Sequence, residues 1–260
     1  MPAIGIFDSG IGGVTVLRAL KEALPNESFV YLGDTARLPY GTKSAETIRR
    51  YLHQNISFLL RQNVKAIVVA CNTASTVLEQ DHWDGLPIYG VIKPGALAAV
   101  SVSKGRICVL ATRATVNSGA YVKAIHALKP EAHVIQQPCP LLVPLVEEGW
   151  HSDPITREIL SRYLQGPLAE GVDTLILGCT HYPVLKSDIA DLAGKEVALV
   201  DSAEAIADML HDDLAQGRIP ASIQTRTVIW TTDINPAFRE VGEQILAPFS
   251  VDEWRQADIK

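Results

Sequence analysis

"KAIVVACNTAS" (65–75) and "DTLILGCTHYP" (173–183) share one grammar: a polar start, an aliphatic run, a cysteine, and a turn containing threonine. Consecutive apolar residues suit a strand covered on both faces, the strand type of parallel sheets. Each cysteine then stands just past the carboxyl end of its strand, where open parallel sheets bind their ligands. Similar short aliphatic runs recur at 3–7, 29–32, 87–91, 106–111, 133–136, 197–200 and 227–230, with 66–70 and 174–177 inside the two quoted stretches. Between them, 14–24, 44–61, 96–103, 118–128, 154–170, 203–214 and 236–246 mostly carry apolar residues three and four apart and read as surface helices. Strands alternating with helices make an α/β protein.

The two cysteine strands imply an internal duplication. "GIFDSGIGG" (5–13) and "ICVLATRATVNSG" (107–119) support it, since each passes from an aliphatic strand into small polar residues and then a helix. The expected architecture is two pseudo-symmetric α/β lobes, each a mostly parallel sheet flanked by helices, with the active site in the cleft between them. The first lobe is expected to hold 1–94 plus 208–260 and the second 95–207, the strand at 227–230 rejoining the first.

Composition narrows the function. With 260 residues and 47% hydrophobic content the chain can bury a sizeable core. Its net charge of −6, with Lys and Arg scattered, argues against a nucleic-acid binder. No apolar stretch is long enough to span a membrane, and "MPAIGIFDSG" lacks the basic and apolar regions of a signal peptide. A cytoplasmic protein without membrane partners is expected. Cys71, Cys108, Cys139 and Cys179 lie tens of residues apart with no Cys-x-x-Cys pair, so reduced thiols are expected and no metal site.

The strand ends gather a constellation. Cys71 and Cys179 occupy two of them, Asp8 and Ser9 follow the first strand, Asp34 the second, and Thr112 and Thr115 the strand that opens the second lobe. Asn72-Thr73 and Thr180-His181-Tyr182-Pro183 read as helix starts. A thiol at a helix N-terminus meets free N–H groups and the positive end of the dipole, which make it a usable base or nucleophile. Two thiols on facing walls suit racemisation without a cofactor: one removes a proton from carbon and the other delivers one to the opposite face. Asp8 and His181 are the neighbours able to manage these protons.

Plainer readings stand beside this one. Cys108, inside its strand, and Cys139, in "QQPCPLLVP" (136–144), read as small core residues. Asp8 alone could cap a helix, and His181 could be structural. "SGIGG" (9–13) is neither a dinucleotide fingerprint nor a P-loop, and its expected use is to let backbone approach a small anion. A hydrolase with one cysteine as nucleophile and His181 as base would leave the second thiol without a task. A two-lobed binding protein would explain neither.

"GIFDSGIGG" (5–13), "YLGDTARLPYG" (31–41), "VVACNTAS" (68–75), "LVPLVEEG" (142–149), "LGCTHYP" (177–183) and "VDSA" (200–203), in this order, resemble the bacterial glutamate racemases. The Gly-Cys-Thr-His motif separates that family from the related aspartate racemases, whose second motif ends in an acidic residue; an aspartate or other amino-acid racemase is the alternative. The resemblance implies interconversion of L- and D-glutamate without cofactor, supplying D-glutamate for peptidoglycan, by a homodimer. It implies that Cys71 deprotonates the D-enantiomer and Cys179 the L-enantiomer, assisted by Asp8 and His181. It further implies substrate contacts from Asp8, Ser9, Tyr40, Gly41, Asn72, Thr73, Thr180 and His181, with Thr112, Thr115 and Glu148 nearby. One departure is Lys93 in "GVIKPGA" (90–96), where the family's "VIEPGA" pattern leads one to expect Glu or another residue, at the junction between lobes.

Overall fold

β1 (Ala3–Asp8) is buried along all six residues, and its side chains leave it alternately in opposite directions. Ile4 and Ile6 enter one core with Val14, Leu17 and Leu20, whereas Ala3 and Phe7 enter another with Ile48, Leu52, Ile56 and Leu59. A strand apolar on both faces needs a helix layer on each side, and α1 (Val14–Ala23) and α2 (Ala45–Leu60) supply them. The computed structural model describes residues 2–233 and 236–259.

The first lobe continues through β2 (Phe29–Gly33), β3 (Val64–Val69), α3 (Asn72–Ser75), β4 (His82–Trp83) and β5 (Leu86–Gly90), and α4 (Ile92–Val102) leads out of it. There follow β6 (Arg106–Ala111), α5 (Arg113–Ser118), α6 (Ala120–Leu128), β7 (His133–Pro138), α7 (Leu142–Glu147) and α8 (Pro154–Ala169). Next come β8 (Thr174–Gly178), α9 (Lys186–Ala193), β9 (Ala198–Asp201), α10 (Ser202–Ala215), β10 (Thr227–Thr231), α11 (Pro236–Leu246) and β11 (Glu253–Gln256).

Among the described residues the strands form two sheets, ordered β11-β10-β2-β1-β3-β5-β4 and β7-β6-β8-β9. All pairings are parallel except β4 with β5. The order β2-β1-β3-β5 is repeated by β7-β6-β8-β9, so the duplication read from the two cysteine strands is present in three dimensions. β10 returns to pair with β2, and β11 adds an outer strand that the sequence reading did not anticipate. In the second lobe Cys108, Leu110, Leu175 and Leu177 face one core, and Ile107, Val109, Ala111 and Ile176 the other. Cys108 is therefore a packed thiol, and Cys139 is likewise buried, its Sγ donating to the Gln137 carbonyl at 3.4 Å.

Caps fix where the helices begin. Ser44 accepts from the Thr47 N–H, Asp153 from Ile155 with Pro154 next to it, and Asp201 from Ala203. α10 packs on both α1 and α4, and α4 on α6, so one helical layer runs between the sheets. Lys93 does not reach across this junction: its Nζ pairs with Asp81 at 3.0 Å, both side chains largely exposed, while Pro94, Gly95 and Ala96 make the buried contacts. Such an exposed pair contributes roughly 0–1 kcal/mol.

Candidate active site

The carboxyl ends of β1, β3, β6 and β8 open on one cleft. A cavity of about 370 Å³ there is lined by Ser9, Tyr40, Gly41, Cys71, Asn72 and Thr73 from the first lobe and by Thr112, Cys179, Thr180 and His181 from the second, among others. Cys71 and Cys179 follow corresponding strands, β3 and β8, and both open into this cavity although each is nearly buried.

Cys71 caps α3, its Sγ accepting from the Ala74 N–H at 3.4 Å, and the thiol donates to Ser9 Oγ at 3.7 Å. Burial, and next the charge of Asp8, push this thiol up to about 12, against the pull of the Ala74 N–H and the Ser9 hydroxyl. At rest it is a proton donor. Asp8 acts on it through space: its own hydrogen bonds come from Gly10 N at 2.9 Å, Gly13 N at 3.1 Å and Thr180 Oγ1 at 3.3 Å. The anion approached by the backbone of "SGIGG" is thus the chain's own carboxylate. Burial raises the Asp8 carboxyl above its ordinary range, while the His181 charge and these donors hold it down.

Cys179 has a different neighbourhood. Its Sγ lies 3.8 Å from His181 Nδ1, and His181 Nε2 lies 3.1 Å from Glu147 Oε1. Burial alone would lower the imidazole, but its hydrogen bonds to Cys179 and Glu147 prevail and raise it to about 10. His181 is therefore a cation at neutral pH, donating toward the sulfur on one side and the carboxylate on the other. A relay of thiol, imidazole and carboxylate stands behind one wall; a hydroxyl and a buried charge stand behind the other.

The remaining sequence candidates divide. The hydroxyls of Thr73, Thr112 and Thr115 form a triangle with sides of 3.0, 3.1 and 3.2 Å that ties the lobes together, Thr115 being fully buried. Asn72 accepts from Tyr121 Oη at 2.7 Å and donates to Ser202 at 3.4 Å. Thr180 accepts at its carbonyl from Thr15 Oγ1 at 3.0 Å. Tyr40 lines the cleft, but its hydroxyl donates to Asp34 and accepts from Asn55 at 3.0 Å, and burial with the Asp34 charge raises it far above its usual range. Gly41 touches the opposite lobe so closely that a Cβ would lie 2.7 Å from Thr112 Cβ.

Glu148 is not brought to the cavity. It ends α7 on the solvent side, and Glu147, one position earlier, faces His181. One residue turns a helical side chain by about 100°, so of two adjacent glutamates one reaches the cleft. The apolar rim of Leu38, Pro39, Pro140, Val143 and Pro144, together with Arg113, was also not singled out by sequence. Among the described residues no cluster of three His, Cys, Asp or Glu side chains could hold a metal ion, and no helix is long and apolar enough to cross a membrane.

The profile of the Asp/Glu/Hydantoin racemase family matches residues 4–210. A glutamate racemase of Syntrophus aciditrophicus is 48% identical over 248 residues, covering 94% of this chain and 92% of the relative. A glutamate racemase isoform of Bacillus anthracis superposes with a TM-score of 0.93 at 36% identity, over 99% of this chain and 97% of that one. The glutamate racemase of Francisella tularensis, solved in complex with D-glutamate, does so with a TM-score of 0.91 at 37% identity, over the same shares of the two chains. Motifs, paired strand ends and these likenesses agree, and the chain belongs to the Asp/Glu/Hydantoin racemase family, among its glutamate racemases.

Proposed function

We propose that the protein interconverts L- and D-glutamate by transferring protons between the substrate carbon and two thiols, without a cofactor. The observation that carries this reading is the pair Cys71 and Cys179, placed by corresponding strands at one cavity. In the L-to-D direction Cys179, as thiolate beside the His181 cation, takes the Cα proton. Cys71, held as a thiol, gives its proton to the opposite face, and the two sulfurs end with their protons exchanged. In the D-to-L direction Cys71 is the base and Cys179 the acid. Ser9, Asn72, Thr73 and Thr180 offer polar groups to the substrate carboxylates, where negative charge grows as the carbon loses its proton.

Glutamate is the substrate we assign, supported by the D-glutamate complex of the Francisella relative. The product serves as a building block of peptidoglycan. The working assembly is a homodimer in the cytoplasm, with lobes formed by 1–94 plus 208–260 and by 95–207; light scattering of the purified protein measures the dimer directly. The chemistry is tested by incubating the protein with each enantiomer in D₂O while following the Cα–H resonance and circular dichroism. Loss of both signals is expected, and retention of the Cα–H signal by both enantiomers would refute the reading. A hydrolase would instead form a stable adduct with an acylating probe at a single cysteine.

A further inference from the structure

Glutamate carries a net negative charge, and so does the protein, at −6. The cavity wall adds the Glu147 carboxylate, and the Asp8 carboxylate lies buried behind it. Long-range electrostatics therefore disfavour approach of the substrate, and the His181 cation is already engaged by Cys179 and Glu147. Among the described residues lining the cavity, Arg113 is the only Lys or Arg.

Its surroundings separate it from the chain's structural arginines. Arg37 is held by Asp34, Gln54 and Asn55, Arg157 by Asp188, and Arg226 by Glu253. Arg113 is exposed, and among the described residues no hydrogen bond or ion pair engages its guanidinium; the Tyr163 hydroxyl is its electrostatic neighbour. Its backbone, by contrast, is fixed. It follows Thr112, which belongs to the hydroxyl triangle and touches Gly41 across the cleft. An exposed cation thus springs from an anchored point on the seam between the lobes.

We infer that Arg113 captures the substrate: it draws amino acids with a carboxylate side chain to the cleft mouth and pairs with them there, raising affinity without taking part in proton transfer. The inference rests on the racemase reading above. A guanidinium free of partners loses no existing contact on meeting a carboxylate, and its planar fork suits that group. An exposed charge acts over about a Debye length, ~10 Å at 0.1 M salt, so its effect must weaken as salt is added.

The test compares wild type, Arg113→Gln and Arg113→Lys with both glutamate enantiomers, at about 0.02 M and about 0.5 M KCl, on either side of that screening length. At low salt Arg113→Gln is expected to raise KM roughly five- to tenfold, with kcat within about twofold of wild type. Arg113→Lys keeps the charge and most of the affinity. At high salt the gap between wild type and Arg113→Gln narrows. The inference is overturned if Arg113→Gln leaves KM unchanged at low salt, if the loss falls on kcat, or if the defect is the same at both salt concentrations. Wild-type protein inactive on both enantiomers would instead overturn the racemase reading itself. Thermal melting confirms that the variants are folded, as expected for a side chain in solvent.

Discussion

Two cysteines in equivalent places have unequal partners, and the inequality can be measured. Cys71→Ser and Cys179→Ser each replace a thiol with a hydroxyl that is a far weaker acid, and each should cut kcat by about 10²- to 10⁴-fold while the far-ultraviolet spectrum is unchanged. Near-normal turnover by either variant would end the two-base mechanism. Glu147→Gln removes a carboxylate that helps raise His181 to about 10. The imidazole should then lose its proton at lower pH, so the alkaline limb of the pH–rate profile moves down and kcat/KM falls about 10- to 100-fold. The motif pointed to Glu148 of "VEE" and not to Glu147, because α7 is too short to display the periodicity that sets the phase of the two.

The turn between β1 and α1 shows why glycine is required where the lobes meet. A Cβ on Gly12 would lie 2.5 Å from both His181 Nδ1 and Thr180 Oγ1, so Gly12→Ala must displace the element that carries Cys179. A loss of about 1–3 kcal/mol in urea unfolding is expected, together with a fall in activity larger than the unfolded fraction explains. Elements like β1 and β8 were readable because their apolar residues are consecutive and end in small polar groups. The helix expected from 96 instead begins at Ile92, since Pro94 lies in the first turn, where its missing N–H has no helical partner to lose. The helix start expected at Asn72-Thr73 is α3, which ends already at Ser75, whereas α5 and α7 escaped notice because six residues show no repeat. What fixes α3 and α5 is local, the Cys71 sulfur and the Thr112 hydroxyl at their starts.

For the molecule as a whole, the buried site makes stability depend on pH. His181 moves from an ordinary 6.5 to about 10 on folding, so its protonation favours the fold fully below pH 6.5 and ceases to do so as pH rises to 10. Cys71, raised from 9 to about 12, acts in the same direction over the next interval, since the unfolded chain releases that proton first. Urea midpoints should therefore fall between pH 7 and 10, and His181→Gln should flatten that decline; a midpoint that rises over this range would contradict the assigned charges. The two sheets share the order β2-β1-β3-β5 and β7-β6-β8-β9, so the lobes are related by rotation, an operation open to a chain of L-residues. Enantiomers are related by reflection, which no such chain can perform on itself. The two operations meet at a single carbon: with carboxylate, amine and side chain held nearly in place, exchanging hands only carries hydrogen from one side to the other. A doubled wall presents sulfur to both sides, and by using the same motif twice the protein treats left and right as one ligand.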